Sequence, residues 1–202
     1  VEPVRWREGD PFHLVYLGSM DRVRRIEFLL EVMAELRRRD PSEPYRLSLI
    51  GGASTEPEFD WLAGRVDGLG LADAVELTGP LSRERAWALA ASAHLGLSAI
   101  PRGPVYDVSS PTKTVEYLVL GLPLLVNDIP DQQWLVAQTG AGACAPMTVA
   151  AFADAIRAIR QDHAGFAGRA WQARGWVLAN RGYDVLADQV AQALRTVVST
   201  RQ

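Results

Sequence analysis

Ser109-Ser110-Pro111-Thr112-Lys113-Thr114-Val115-Glu116-Tyr117-Leu118-Val119-Leu120-Gly121-Leu122-Pro123 predicts a helix with explicit ends. Ser110 stands as its N-cap, Pro111 suits the first helical position, and Gly121 with Pro123 marks the stop. The first turn of such a helix leaves backbone N–H groups without intrahelical partners and gathers the positive end of the peptide dipoles, so anions are drawn there. Lys113 falls in that turn, where a cation opposes the dipole by a few tenths of a kcal/mol up to about 1 kcal/mol. It is also the only lysine in the chain. An anion between cation and dipole accounts for the placement, and this phosphate-binding reading stands beside the plainer one of a solvated lysine on a helix cap.

Outward from this helix, short apolar runs alternate with helical ones. His94 to Ser98 reads as a strand before it and Pro123 to Val126 as a strand after it. Between the first strand and the helix lies Ala99 to Val108, rich in Pro and Gly and long enough to be a functional loop. Upstream, Phe12 to Leu17 is a buried strand closed by Gly18-Ser19, and Ile26, Leu29, Leu30, Met33 and Leu36 mark one face of a helix that ends in Arg37-Arg38-Arg39. Tyr45 to Ile50 with Gly51-Gly52 is a second strand, Glu58 to Leu69 a helix, Val75 to Leu77 a strand, and Ser82 to Ser92 a helix capped by Ser82. Downstream come a short helix at Asp131 to Gln138 and a strand fragment at Gly142 to Ala145. From Thr148 the chain reads as helical to its end, with breaks near Asp162-His163 and Arg181-Gly182.

Strands alternating with helices at this spacing predict an α/β fold, a doubly wound parallel sheet covered on both faces, with extra C-terminal helices. Ligands of such sheets sit at the carboxyl ends of the strands. Gly18-Ser19, Gly51-Gly52, Gly79, the long loop and the Ser110 to Lys113 turn all fall on that edge.

Composition narrows the function classes. With 202 residues, 48% hydrophobic and 22% charged, the chain has material for one globular domain and is not disordered. A net charge of −3 gives no general pull toward nucleic acid. The single cysteine, Cys144, excludes an internal disulfide framework and reads as a small buried hydrophobe, and no Cys/His spacing matches a zinc site. The sequence has no apolar run of the roughly 18 residues needed to span a bilayer and opens without a basic-then-apolar leader, so cytoplasmic residence is the default expectation. A start at Val1 instead of Met, with a strand almost at once, suggests a piece of a longer protein.

Several motifs are set aside. Gly68-Leu69-Gly70 ends a helix and Gly140-Ala141-Gly142 enters a strand, so neither has the strand-turn-helix setting of a dinucleotide fingerprint. His13, His94 and His163 are scattered and read as structural. There is no nucleophile elbow and no Walker sequence. A phosphorelay receiver is disfavoured because the first strand ends in Leu17-Gly18-Ser19 without an acidic pair.

Taken in order, Tyr16-Leu17-Gly18 with the basic turn after it, Leu49-Ile50-Gly51-Gly52, Leu77-Thr78-Gly79-Pro80, Ser110-Pro111-Thr112-Lys113 with Glu116-Tyr117-Leu118 and Gly121-Leu122-Pro123, and Asn127-Asp128 resemble the C-terminal, donor-binding half of a family four (group 1) glycosyltransferase of the GT-B fold. The resemblance covers Phe12 to about Tyr183. It implies a Rossmann-like half that binds a nucleoside-diphosphate sugar of the UDP or GDP type. The whole enzyme would transfer that sugar, with retention, to a hydroxyl acceptor in glycan or polysaccharide synthesis. Residues 1–202 are then one donor-binding domain lacking its N-terminal acceptor domain and inactive alone, and the full-length protein would associate peripherally with a membrane.

The resemblance also assigns roles. Glu116 matches the carboxylate that accepts hydrogen bonds from the ribose diol, a fit because two oxygens meet two O–H donors. Ser110, Thr112 and Lys113 match the diphosphate site, and Arg24 matches a basic residue on the same phosphates, with Arg22 and Arg25 as close competitors. Lys113 and Arg24 are the expected catalytic residues, stabilising charge on the leaving diphosphate without a metal or other cofactor. Gly18, Ser19, Gly51, Gly79 and Leu81 are expected to line the donor, the Thr78 to Leu81 turn holding the base through its backbone. Two departures stand out. Val108 occupies the position of the family's first acidic residue, leaving Asp107 one residue off, and Ser19 replaces an arginine. The rival readings are a sugar-nucleotide epimerase of the same architecture and a degenerate, non-catalytic nucleotide-binding module.

Overall fold

The computed structural model describes residues 4–199. Six parallel strands form one sheet: β1 (Phe12–Leu17), β2 (Tyr45–Ile50), β3 (Val75–Leu77), β4 (Leu95–Ser98), β5 (Leu124–Val126) and β6 (Gly142–Cys144). Their spatial order is β3-β2-β1-β4-β5-β6, so the chain winds one way from β1 to β3 and then returns to the other side of β1 to continue through β4. Connections between parallel strands must cross over the sheet, which accounts for the helices on both faces.

Alternation along the strands divides the core. Phe12, Leu14, Leu47, Leu49 and Leu97 face a layer made by α1 (Glu27–Arg39), α2 (Glu56–Gly68) and α6 (Val149–Gln161). Val15, Ile50, Leu124 and Val126 face the layer of α3 (Arg83–Ala91), α4 (Thr112–Leu120), α5 (Pro130–Thr139) and α7 (His163–Arg181). A period of two residues sends successive side chains to opposite faces, so one strand serves both cores. The last helix, α8 (Tyr183–Ser199), follows a break at Gly182 and buries no residue.

The expected elements are present, with shifted ends. α2 begins at Glu56 and not Glu58, because Thr55 is extended and Pro57 is accommodated in the first turn. Ser82 caps α3 as expected, accepting from the Arg85 amide. Ser110, however, does not cap α4. Pro111 holds the N-cap place in an extended conformation, and Ser110 Oγ donates instead to Asp131 Oδ2 at 2.9 Å while receiving Arg181 Nη1. Partners on α5 and α7 thus displace the local cap.

The three histidines, scattered in sequence, gather at the edge opposite the expected site. The Phe12 ring stacks on His94, His163 packs edge-on to both, and His94 Nδ1 accepts the His13 amide at 2.9 Å. Burial lowers all three pKa values, that of His94 to about 4, so they are neutral packing groups. Cys144 is half-buried and not a core residue; burial, then Asp128, pushes its thiol up.

Candidate functional site

The winding reverses between β1 and β4, and the carboxyl ends of these neighbours open into a cleft of about 550 Å³. Its floor is Tyr16, Leu17, Gly18 and Ser19 from the end of β1. One wall is the loop after β4, with Ile100, Pro101, Val105, Tyr106 and Ser109, and the other is the start of α4, with Thr112, Lys113 and Glu116. A second cleft of about 400 Å³ adjoins it, lined by Ile50, Gly51, Gly52, Leu81, Arg83 and Trp87. Leu17, Gly18, Ser19 and Glu116 line both. Glu116 therefore stands on the ridge between two chambers.

Glycine makes the floor close enough to work. The loops after β1 and β2 touch so tightly that a Cβ on Gly51, at φ +139°, would lie 2.1 Å from the Gly18 carbonyl oxygen. Gly79 does not line either chamber. It is left-handed and forms an isolated antiparallel bridge to Gly51, which lines the second chamber.

The basic turn after β1 forms a short 3₁₀ helix, Arg22–Arg24, and sorts its three arginines. Arg22 is drawn toward α2, its amide donating to Glu58 Oε2 and its guanidinium lying over the Trp61 ring. Arg25 closes the turn in the left-handed region at φ 54°. Arg24 alone of the three lines the cleft, its guanidinium 5.4 Å from the centre of the Tyr106 ring. Across from it, Lys113 Nζ lies 3.9 Å from the centre of the Tyr16 ring. Burial, reinforced by the Arg24 charge and opposed by Glu116, pushes the Lys113 ammonium down to about 7. Among the described residues, neither Lys113 nor Arg24 is in a salt bridge. The amides of Thr112 and Lys113 open α4 and are not used by its own ladder. Two basic side chains, two such amides and one carboxylate thus share one cleft, and among the described residues neither basic group is ion-paired with a carboxylate.

Besides Gly79, two expected ligand-binding residues, Asp107 and Ser110, lie outside both chambers. Asp107 is absent from the cleft lining because Arg102 takes both of its carboxylate oxygens, at 2.7 and 3.0 Å, and the Gly103 amide binds one of them. These contacts, Arg102 first, hold the Asp107 carboxyl below its ordinary value. Ser110 faces Asp131 and Arg181, outside the cleft. Val108 is 85% exposed and also outside it.

Two positioning groups carried no role in the sequence reading. Tyr117, fully buried, accepts the Leu17 amide at 2.8 Å and donates to the Leu97 carbonyl at 3.3 Å, so the residue after Glu116 ties α4 to both β1 and β4. Gly96 leaves room for its ring, since a Cβ there would come within 2.5 Å of it. Asn127, equally buried, exchanges both amide hydrogen bonds with the Ile100 backbone and receives Gln132, fixing the start of the loop wall. Tyr117 and Asn127 were visible only as motif members, because their partners are backbone atoms distant in sequence.

Among the described residues no group of three His, Cys, Asp or Glu side chains is placed to hold a metal ion. No described helix is long and apolar enough to cross a membrane.

A profile of the family described as Glycosyl transferases group 1 matches residues 11–162. Sucrose-phosphate synthase from Thermosynechococcus elongatus shares 23% identity and a TM-score of 0.76, over 96% of this chain and 47% of that one. HepE from Anabaena, solved in complex with UDP and glucose, shares 20% identity and a TM-score of 0.69, over 92% and 48%. A glycosyltransferase from Rickettsia africae shares 15% identity and a TM-score of 0.74, over 95% and 49%. These likenesses establish the fold, and the chain spans about half the length of each solved protein. No curated protein sequence matches it.

Proposed function

The chain belongs to the group 1 glycosyltransferases as a GT-B-type domain, and from that premise we propose that it is the donor-binding half of a retaining enzyme that takes a sugar from a nucleoside diphosphate and passes it to a hydroxyl acceptor. The observation that carries this reading is Glu116 on the ridge between two chambers, one of them lined by Lys113 and Arg24. A carboxylate there receives a vicinal diol, the basic chamber receives the diphosphate, and the second chamber receives the base beside Leu81. HepE, solved with UDP bound, supports a nucleotide of this kind for the present cleft.

As the glycosidic C–O bond breaks, negative charge grows on the leaving diphosphate. Groups already aimed at that position stabilise the transition state more than the ground state. Lys113, Arg24 and the amides that open α4 supply them, and losing one such donor raises the barrier by roughly 3 to 4 kcal/mol. The acceptor and the remaining catalytic groups belong to another domain. The exposed stripe of Leu186, Val190, Leu194 and Val197 along α8 is the surface this domain offers to it. The 202 residues alone then bind nucleotide weakly and turn over little or nothing.

Titration calorimetry with uridine and guanosine diphosphates tests the assignment. Binding that is weakened by Glu116→Ala and by Lys113→Ala supports it, while equal binding by all three proteins, or none by any, removes it. A second reading, a binding-only half, is favoured by one observation: neither Asp107 nor Val108 brings a carboxylate to the sugar end of the cleft. Sugar transfer by the full-length protein separates the two.

A further inference from the structure

We propose that Tyr16 is a positioning residue for the donor diphosphate, its ring face holding the Lys113 amine at the cleft floor where a carboxylate would otherwise hold it. The inference rests on the reading of this cleft as a diphosphate site. Lys113 Nζ lies 3.9 Å from the ring centre, well inside the range of a cation–π contact. An ammonium held by a ring face keeps N–H donors free for a ligand, whereas a carboxylate partner would engage them and repel a phosphate.

The platform is itself fixed. The Tyr16 ring is buried, and its hydroxyl donates to the Ser19 carbonyl at 3.2 Å. Burial pushes its phenol up to about 12, so it remains neutral through the physiological range. Gly18 gives the pair its space, because a Cβ at that position would lie 3.1 Å from the Tyr16 oxygen and 3.2 Å from Nζ. The charged and titratable groups around the pair are Arg24 and Asp21 on the turn after β1, Tyr106 in the loop wall, and Glu116 and Tyr117 on α4. With its pKa pushed down to about 7, the Lys113 amine is close to half-protonated at neutral pH before the ligand arrives. A bound diphosphate favours the charged form, so binding draws in a proton, and affinity declines as the pH rises above that value.

The test is calorimetry on the chain as it exists, with UDP-glucose and GDP-mannose as probes, from pH 6 to 8.5 in buffers of unequal ionisation heat. Both phosphates of such ligands are esterified, so proton uptake belongs to the protein. The expected sign is net proton uptake on binding that grows as the pH rises from neutral. Tyr16→Leu weakens binding about tenfold. It weakens it no further in a Lys113→Ala background, and Tyr16→Phe, which keeps the ring face and gives up only the Ser19 contact, loses clearly less than Tyr16→Leu. A Tyr16→Leu loss that adds in full to that of Lys113→Ala overturns the role of Tyr16 while leaving the donor site standing. Absence of binding to either probe overturns both.

Discussion

The two edges of the sheet use similar residues in opposite ways. At the amino edge a cavity of about 380 Å³ is lined by Trp6, Asp40, Glu43, Tyr45, Arg157 and Arg160, and its basic groups are matched. Arg157 bonds Asp40 at 2.7 Å, and Arg160 pairs with Glu43 while its guanidinium lies over the Trp6 ring. At the carboxyl edge Lys113 and Arg24 also lie over aromatic rings, but neither has an acidic partner within bonding distance among the described residues. A pocket whose charges are internally satisfied holds the fold together. One whose basic groups lack acidic partners leaves them open to an anion from outside, the property on which the proposed donor site rests.

Mutation should separate the two edges cleanly. The largest effect expected is on stability, from Phe12→Ala at the amino edge: loss of the ring that packs on His94, His163, Tyr45 and Trp6 costs about 3 to 5 kcal/mol in denaturant unfolding, with nucleotide affinity unchanged where the fold is populated. Lys113→Ala gives the mirror result, about a hundredfold weaker binding of nucleoside diphosphate with little change in unfolding midpoint. A large stability loss in that variant would erase the contrast.

Tyr117→Phe tests the joint between core and cleft. Removal of its hydroxyl leaves the partly buried Leu17 amide without this partner, costing about 1 kcal/mol, and weakens nucleotide binding as well because α4 loses its tie to β1. Acid should act on the amino edge through its histidines. His94 takes a proton near its ordinary 6.5 when unfolded but only at about 4 when folded, so between these values the unfolded chain binds more protons. Stability present above pH 6.5 is therefore lost as the pH falls toward 4, to be read as a falling melting temperature. The smallest effect is expected of Asp107→Asn, which leaves nucleotide affinity unchanged in titration because Arg102 already occupies that carboxylate.

Most of the architecture was legible because it depends on local period: apolar runs marked the strands, and repeats such as Ile26, Leu29, Met33 and Leu36 marked the helices. The cleft was legible where one continuous stretch supplies it, as with Lys113 and Glu116 on a single turn of α4. Choices among rivals were not. Ser110 has a proper capping side chain, yet Asp131, 21 positions on, and Arg181, 71 positions on, claim it. Arg22, Arg24 and Arg25 are equivalent as a string; Glu58 and the Trp61 ring draw one of them away. The histidines converge only because β1, β4 and α7 bring their amino ends together.

Arg181 is the last residue of α7, and it reaches Asp131 and Ser110 immediately before the chain turns at Gly182 into α8. The outermost helix therefore hangs from a hinge whose pin is bolted to the loop that launches α4. One guanidinium thereby fastens the end of α7, and with it the start of α8, to the loop that leads into α4.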